Sequence, residues 1–200
     1  MTNSSATGGY LTPLTEPIMG QALSRLLQQA IVSITGLPDT LVRPRWQAEP
    51  GNIPTEGTVW ASVGISRRVP EGTAWQWFAD GTETYTLQRQ EEITILCSFY
   101  DTGIDQEADR YAAILREGLQ LGQNREVLRA NGFGFIAVGD MIPLPTLLKQ
   151  RWLYRVDVPI RFLRTMTWTY NVLSVLSAQA VVQFEKEDGS LYTKTIAVPA

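Results

Sequence analysis

Two hundred residues, 44% hydrophobic and 18% charged, suffice for one substantial domain with its own core and argue against a disordered chain. A net charge of −3 gives no global pull toward DNA or an anionic membrane. With no histidine and a single cysteine, Cys97, the chain lacks Ser-His-Asp and Cys-His catalysis, the usual zinc ligand sets and any internal disulfide.

The first ten residues, MTNSSATGGY, have neither the basic start nor the apolar run of a signal peptide and read as a flexible leader over 1–10. No stretch approaches the ~20 apolar residues of a membrane helix, and synthesis in the cytoplasm is expected. Leu14, Ile18, Ala22, Leu26, Ile31 and Ile34, with Leu23, Leu27 and Ala30 beside them, follow helical spacing. They predict a helix over Leu14–Thr35, capped by Thr12 or Thr15 and stopped by Gly36 and Pro38.

A short strand around Leu41–Gln47 and an irregular loop are expected next. Val59, Ala61, Val63 and Ile65 then alternate with Trp60, Ser62, Gly64 and Ser66, which predicts a strand. PEGTAWQWFADGTET, residues 70–84, reads as a loop with turns at Glu71-Gly72 and Asp80-Gly81, carrying Trp75, Trp77 and Phe78. TYTLQRQEEITILCSFYD is a second strand, with Ile93, Ile95, Cys97 and Phe99 on its apolar side. Cys97 is therefore expected as a buried small hydrophobe. Glu91 and Glu92 are adjacent, so on a strand they point to opposite faces and cannot act as a paired acid and base.

Asp105 is expected to open a helix with Glu107 and Asp109 in its first turn, where the dipole favours negative charge. Tyr111, Ile114, Leu115 and Leu119 form its inner stripe. Asn124 is expected to cap a short helix ending at Asn131-Gly132, followed by a short strand in FGFIAVGD and a proline-bearing connector, MIPLPTLLKQ. GFGF at 132–135 lacks the spacing and lysine of a phosphate loop, and Asp101, Asp105 and Asp109 lack calcium-loop spacing.

The segment RWLYRVDVPIRFLRTMTWTY runs from Arg151 to Tyr170. Its even positions are apolar from Trp152 to Tyr170 except Arg164, while the odd ones carry Arg151, Arg155, Asp157, Arg161 and three threonines. Fully extended it would span roughly 60 Å at about 3.3 Å per residue. It is expected to bend where the alternation breaks, at Leu163-Arg164. The planar guanidinium fork suits carboxylate or phosphate. Three uses of the arginine face stay open: cross-strand pairing with Glu91 or Glu92, pairing with acidic groups of an adjacent subunit, and DNA contact. Asp188-Gly189 between two strand-like runs signals a terminal hairpin too poor in large apolar residues to stand alone. The element order predicts an α+β fold, a mainly antiparallel sheet flanked by helices with a C-terminal β-hairpin arm, organised as 1–10, 11–170 and 171–200.

Five motifs in one order, LVRPRWQAEPGNIP…TVWASVGI, QRQEEITILCSFYD, LREGLQLGQNREVL, QRWLYRVDVPIRFLR and TYNVLSVLSAQ, resemble the neck terminator or tail terminator-like proteins of tailed bacteriophages, from about Leu41 to Gln179. The resemblance implies a structural virion protein, not an enzyme, without cofactor or metal. It implies a homo-oligomeric ring, typically a hexamer, at the head–tail junction, assembled in the host cytoplasm. That ring would terminate the tail tube, join it to the head-side connector and touch the sheath if the tail contracts. Genomic DNA would pass through its channel at ejection without specific binding. A head-completion or stopper ring contacting the portal and a sequence-independent DNA-binding protein are the alternatives. On this reading Arg151, Arg155, Arg161, Arg164, Glu91 and Glu92 are candidates for the subunit interface. Trp168, Tyr170, Phe184, Asp188, Gly189 and Tyr192 are candidates for an arm reaching an adjoining ring.

Overall fold

The computed structural model describes residues 10–46, 54, 57–78, 84–103, 106–148, 151–172, 177–185 and 191–199. Along the chain these form β1 (Pro13–Thr15), α1 (Gly20–Thr35), β2 (Val42–Pro44), β3 (Trp60–Phe78), β4 (Thr84–Asp101), α2 (Glu107–Gly118), α3 (Glu126–Ala130), β5 (Phe133–Val138), β6 (Ile142–Pro143), β7 (Thr146–Leu148), β8 (Arg151–Asn171), β9 (Ser177–Glu185) and β10 (Leu191–Pro199). The main sheet runs β1-β8-β4-β3-β2, and β5, β6 and β7 also pair with β8. The fold is α+β with a mostly antiparallel sheet, as expected; β2 alongside β3 is a parallel pair. The chain divides into two compact units, Thr15–Gln76 with Leu87–Trp168, and Met1–Leu14 with Trp77–Thr86 and Thr169–Ala200.

The larger unit holds the core. α1 buries Leu23, Leu27 and Ile31, spaced four apart on one face. They join Ala61 and Val63 of β3, Ile93, Ile95, Cys97 and Phe99 of β4, and Val156, Val158, Ile160 and Phe162 of β8. Ala108, Ala112 and Leu115 of α2, with Leu119, complete the cluster. Each large aliphatic or aromatic side chain buried this way stabilises by about 1.5–3 kcal/mol over leaving it in water. Gly36 ends α1 as expected, at φ 72, with its N–H donating to the Val32 carbonyl.

Several expectations are corrected. α1 begins at Gly20, not Leu14: Pro13–Thr15 is strand, Met19 is the N-cap, and neither Thr12 nor Thr15 caps the helix. Residues 70–78 are not loop, because β3 continues through them to Phe78, with Gly72 at φ 61 taking up a kink few other residues adopt. The Asp80-Gly81 turn lies outside the described residues, as do Asp105 and the Asp188-Gly189 turn. Asn124 does not cap α3; its side-chain amide donates to the Gly118 carbonyl, closing the end of α2 instead. The start of α2 is held by Asp101 at the end of β4, whose two oxygens accept the N–H groups of Gly103 at 2.7 Å and Glu107 at 2.8 Å.

In the smaller unit, Phe78 and Tyr85 meet edge to face at 4.8 Å. β9 and β10 pair antiparallel from Ser177↔Pro199 to Glu185↔Leu191, a two-stranded sheet of their own, with Phe184 opposite Tyr192.

Candidate functional site

β8 sorts its side chains by parity, and β4 beside it does the same. Val156, Val158, Ile160 and Phe162 enter the core, and Arg164, two residues further on, enters with them. The strand runs through Leu163-Arg164 without interruption, pairing with Gly134 and Phe133 of β5. What reads in sequence as a broken alternation is an arginine in phase with the apolar face. Its side chain is 1% exposed. One guanidinium nitrogen donates to Glu91 at 3.3 Å, another to the carbonyl of Ile18, and the group lies over the Phe133 ring. Burial lowers the Arg164 pKa, and the charge of Glu91 opposes that shift. Glu91 also sits 3.9 Å from Arg68.

The opposite face carries the other arginines. Arg155 clamps Asp157 on its own strand through two bonds, 2.7 and 2.6 Å, a fork-to-carboxylate geometry. Asp157, almost fully buried, also accepts the hydroxyl of Ser98, which in turn accepts from Arg45. Tyr100 stacks on Trp60 at 3.9 Å with the rings 8° apart, Arg155 lies over Tyr100, and Arg43 over Trp60. Further along, Arg161 binds Glu92 through 2.8 and 3.0 Å contacts. The hydrogen bond from Arg161 holds the Glu92 carboxyl below its ordinary range, with Arg161 and Arg67 adding charge attraction.

Glu91 and Glu92 therefore do face opposite sides, and each has an arginine of β8 as its partner. Of the cross-strand pairings read from sequence, Arg161 with Glu92 is present, whereas Arg155 takes Asp157. Arg151 pairs in the backbone with Leu148. Trp152, one of the even-numbered apolar positions, is nonetheless 68% exposed, because Leu153 takes the inward position at this end of β8. Trp168 and Tyr170 are half-buried, Phe184 and Tyr192 are backbone partners, and Asp188 and Gly189 lie outside the described residues.

Arg43, Arg45, Trp60, Ser98, Tyr100 and Asp157 belong to this face and were missed in sequence. The signal was available in part: alternation on β4 puts Ser98 and Tyr100 in phase with Glu92. Cys97 is fully buried, as expected, and burial pushes its thiol pKa up. Among the described residues no three histidine, cysteine or acidic side chains gather to hold a metal ion. The face offers paired charge and stacked aromatic surface, the chemistry of contact.

The model of the phage neck terminator protein family matches residues 21–188, most of the chain. No curated protein matches it. The chain belongs to the phage neck terminator protein family, whose members have a structural role at the phage neck.

Proposed function

We propose that copies of this chain close into a ring, six being the expected number, that ends the tail tube in the virion and joins it to the head-side connector. The ring leaves a channel through which genomic DNA passes without specific binding, and the chain performs no chemistry. The observation that carries this reading is the second half of β3. From Ser66 to Phe78 only Ala74 is buried and Val69 half-buried, and Trp75, Trp77 and Phe78 are exposed. Exposed aromatic area of this kind marks a surface that another protein covers. A ring supplies such a cover, since a heterologous contact joins two different faces of identical subunits and closes on itself.

In this ring the exposed pair Arg161–Glu92 and the half-exposed Arg155 set the direction of subunit contact, with Arg151 at the start of the same strand. Arg164 and Glu91, buried beneath them, hold the strand that presents that face. Trp168, Tyr170 and the β9–β10 ribbon, with Phe184, Tyr192 and the Asp188-Gly189 turn, reach an adjoining ring of tube, connector or sheath.

Electron microscopy of the purified chain tests this directly: closed rings with a central hole are expected. The triple variant Trp75→Ser, Trp77→Ser, Arg161→Glu should keep the wild-type unfolding midpoint and lose the rings. A wild-type protein that stays a single subunit at high concentration would overturn the proposal, and so would a triple variant that assembles normally.

A further inference from the structure

The edge of the sheet where β2 ends borders both the core, through Leu23, Leu27 and Val63, and the charged face, through Arg45. β2 pairs with β3 only over Val42–Pro44 and Ala61–Val63, and the last bond on this edge runs from the Arg45 N–H to the Val63 carbonyl at 2.7 Å. Among the described residues no strand continues along this edge beyond it. Gly64–Arg68 instead lines an open groove of about 470 Å³, together with Leu23, Ser24 and Leu27 of α1 and with Arg45 and Trp46.

The groove is basic. Arg45, Arg67 and Arg68 line it and no carboxylate does. An adjoining groove of about 460 Å³ shares Arg45 and Trp46 and adds Arg25, with Asp39 its single carboxylate. These arginines are weakly engaged. Arg45 gives one nitrogen to Ser98 while its Nε has no partner, and Arg68 reaches Glu91 only at 3.9 Å. Arg25 and Arg67 are exposed and form no ion pair among the described residues. Gly20, at the start of α1, also lines the groove, and the first turn of that helix has neither a side-chain cap nor an acidic residue to offset its positive end. Trp46 stands at 76% exposure with φ 67, a conformation a bulky residue holds only under constraint and one that concentrates at binding sites.

We propose that this groove binds an extended acidic peptide segment of a neighbouring protein. The segment adds as a strand to the β3 edge just beyond Gly64, against which Arg45 and Trp46 pack, and its alternate carboxylates reach Arg45 and Arg67, while Arg68 turns to the other face, toward Glu91. Beyond the Arg45–Val63 bond no described strand pairs with this edge, and a strand edge offers both N–H donors and C=O acceptors. A peptide backbone answers both, whereas a phosphodiester backbone has no donor for the carbonyls. Trp46 closes over the bound segment with its ring.

Fluorescence polarisation with the full chain tests this. The probe is a labelled peptide of about ten residues alternating Glu and Val, a length that covers the edge at ~3.3 Å per residue. A Lys–Val peptide and a single-stranded oligonucleotide of equal length are run beside it. Saturable binding of the Glu–Val peptide is expected, at least tenfold weaker in Arg25→Glu/Arg67→Glu at an unchanged unfolding midpoint. Trp46→Gly should weaken binding while raising the midpoint, which a merely structural tryptophan would not do. No saturable binding overturns the proposal. So does an equal response to the Lys–Val peptide, tighter binding of the oligonucleotide, or full affinity in the double-arginine variant. Ring formation is not read by this assay, so failure of either proposal leaves the other standing.

Discussion

Two arginine–glutamate pairs, one residue apart on β4 and three apart on β8, sit on opposite faces of the same sheet. Arg164–Glu91 is sealed inside, over Phe133 and against the start of α1. Arg161–Glu92 lies at the surface with better geometry, two bonds near 2.9 Å against one of 3.3 Å. Bond length alone would rank the outer pair as the stronger structural element. Solvent reverses that order, because water screens the outer pair and offers either partner a substitute, while neither inner partner can be left alone.

Breaking the inner pair should produce the largest effect. Arg164→Met leaves the buried Glu91 with only the longer 3.9 Å contact to Arg68, and a loss of about 3 kcal/mol is expected from urea unfolding. Adding Glu91→Leu to that variant should recover much of the loss, since the stranded charge is the main cost. If the double variant is no more stable than the single, the cost lies in packing.

Asp157 tests the intermediate case, an outward-facing carboxylate that is nonetheless buried. Asp157→Ala strands the Ser98 hydroxyl and both donors of the Arg155 fork and should cost about 1–3 kcal/mol. Arg161→Gln should lie at the bottom of the scale, with only a small drop in the unfolding midpoint at neutral pH. Its signature is the loss of that drop in acid. The folded pKa of Glu92 is depressed from the ordinary 4.5 by its bond from Arg161. The pair's contribution is therefore present above that ordinary value and disappears as pH falls through the folded one. A series of midpoints from about pH 7 down to about pH 2.5 should show any gap between wild type and Arg161→Gln closing in acid.

Much of this contrast was legible in the sequence. Alternation placed β4 from Thr84 to Asp101, assigned Cys97 to the core and set Glu91 and Glu92 on different faces. Gly36 marked the end of α1. The rest was hidden because its causes are distant along the chain. Arg164 breaks an apolar pattern, and nothing local announces that Glu91 and the Ile18 carbonyl will receive it. Pro70, Gly72 and the tryptophans gave residues 70–78 the composition of a loop, yet the chain stays extended through Phe78. Asp101 holds the start of α2 from the end of a strand, so a search for a cap next to the helix finds Asp105 instead. The outward network was missed because Arg43 and Arg45 arrive from a three-residue strand whose parallel partner cannot be read from periodicity.

All ion pairs among the described residues have arginine as the cation, and the chain has no histidine. Guanidinium groups keep their proton throughout the range in which proteins work, and ionised carboxylates stay ionised above about pH 5. No side chain here has its ordinary titration between about pH 5 and pH 8. Ionic strength is the variable left to act, and it reaches the outward face while leaving the sealed one almost untouched.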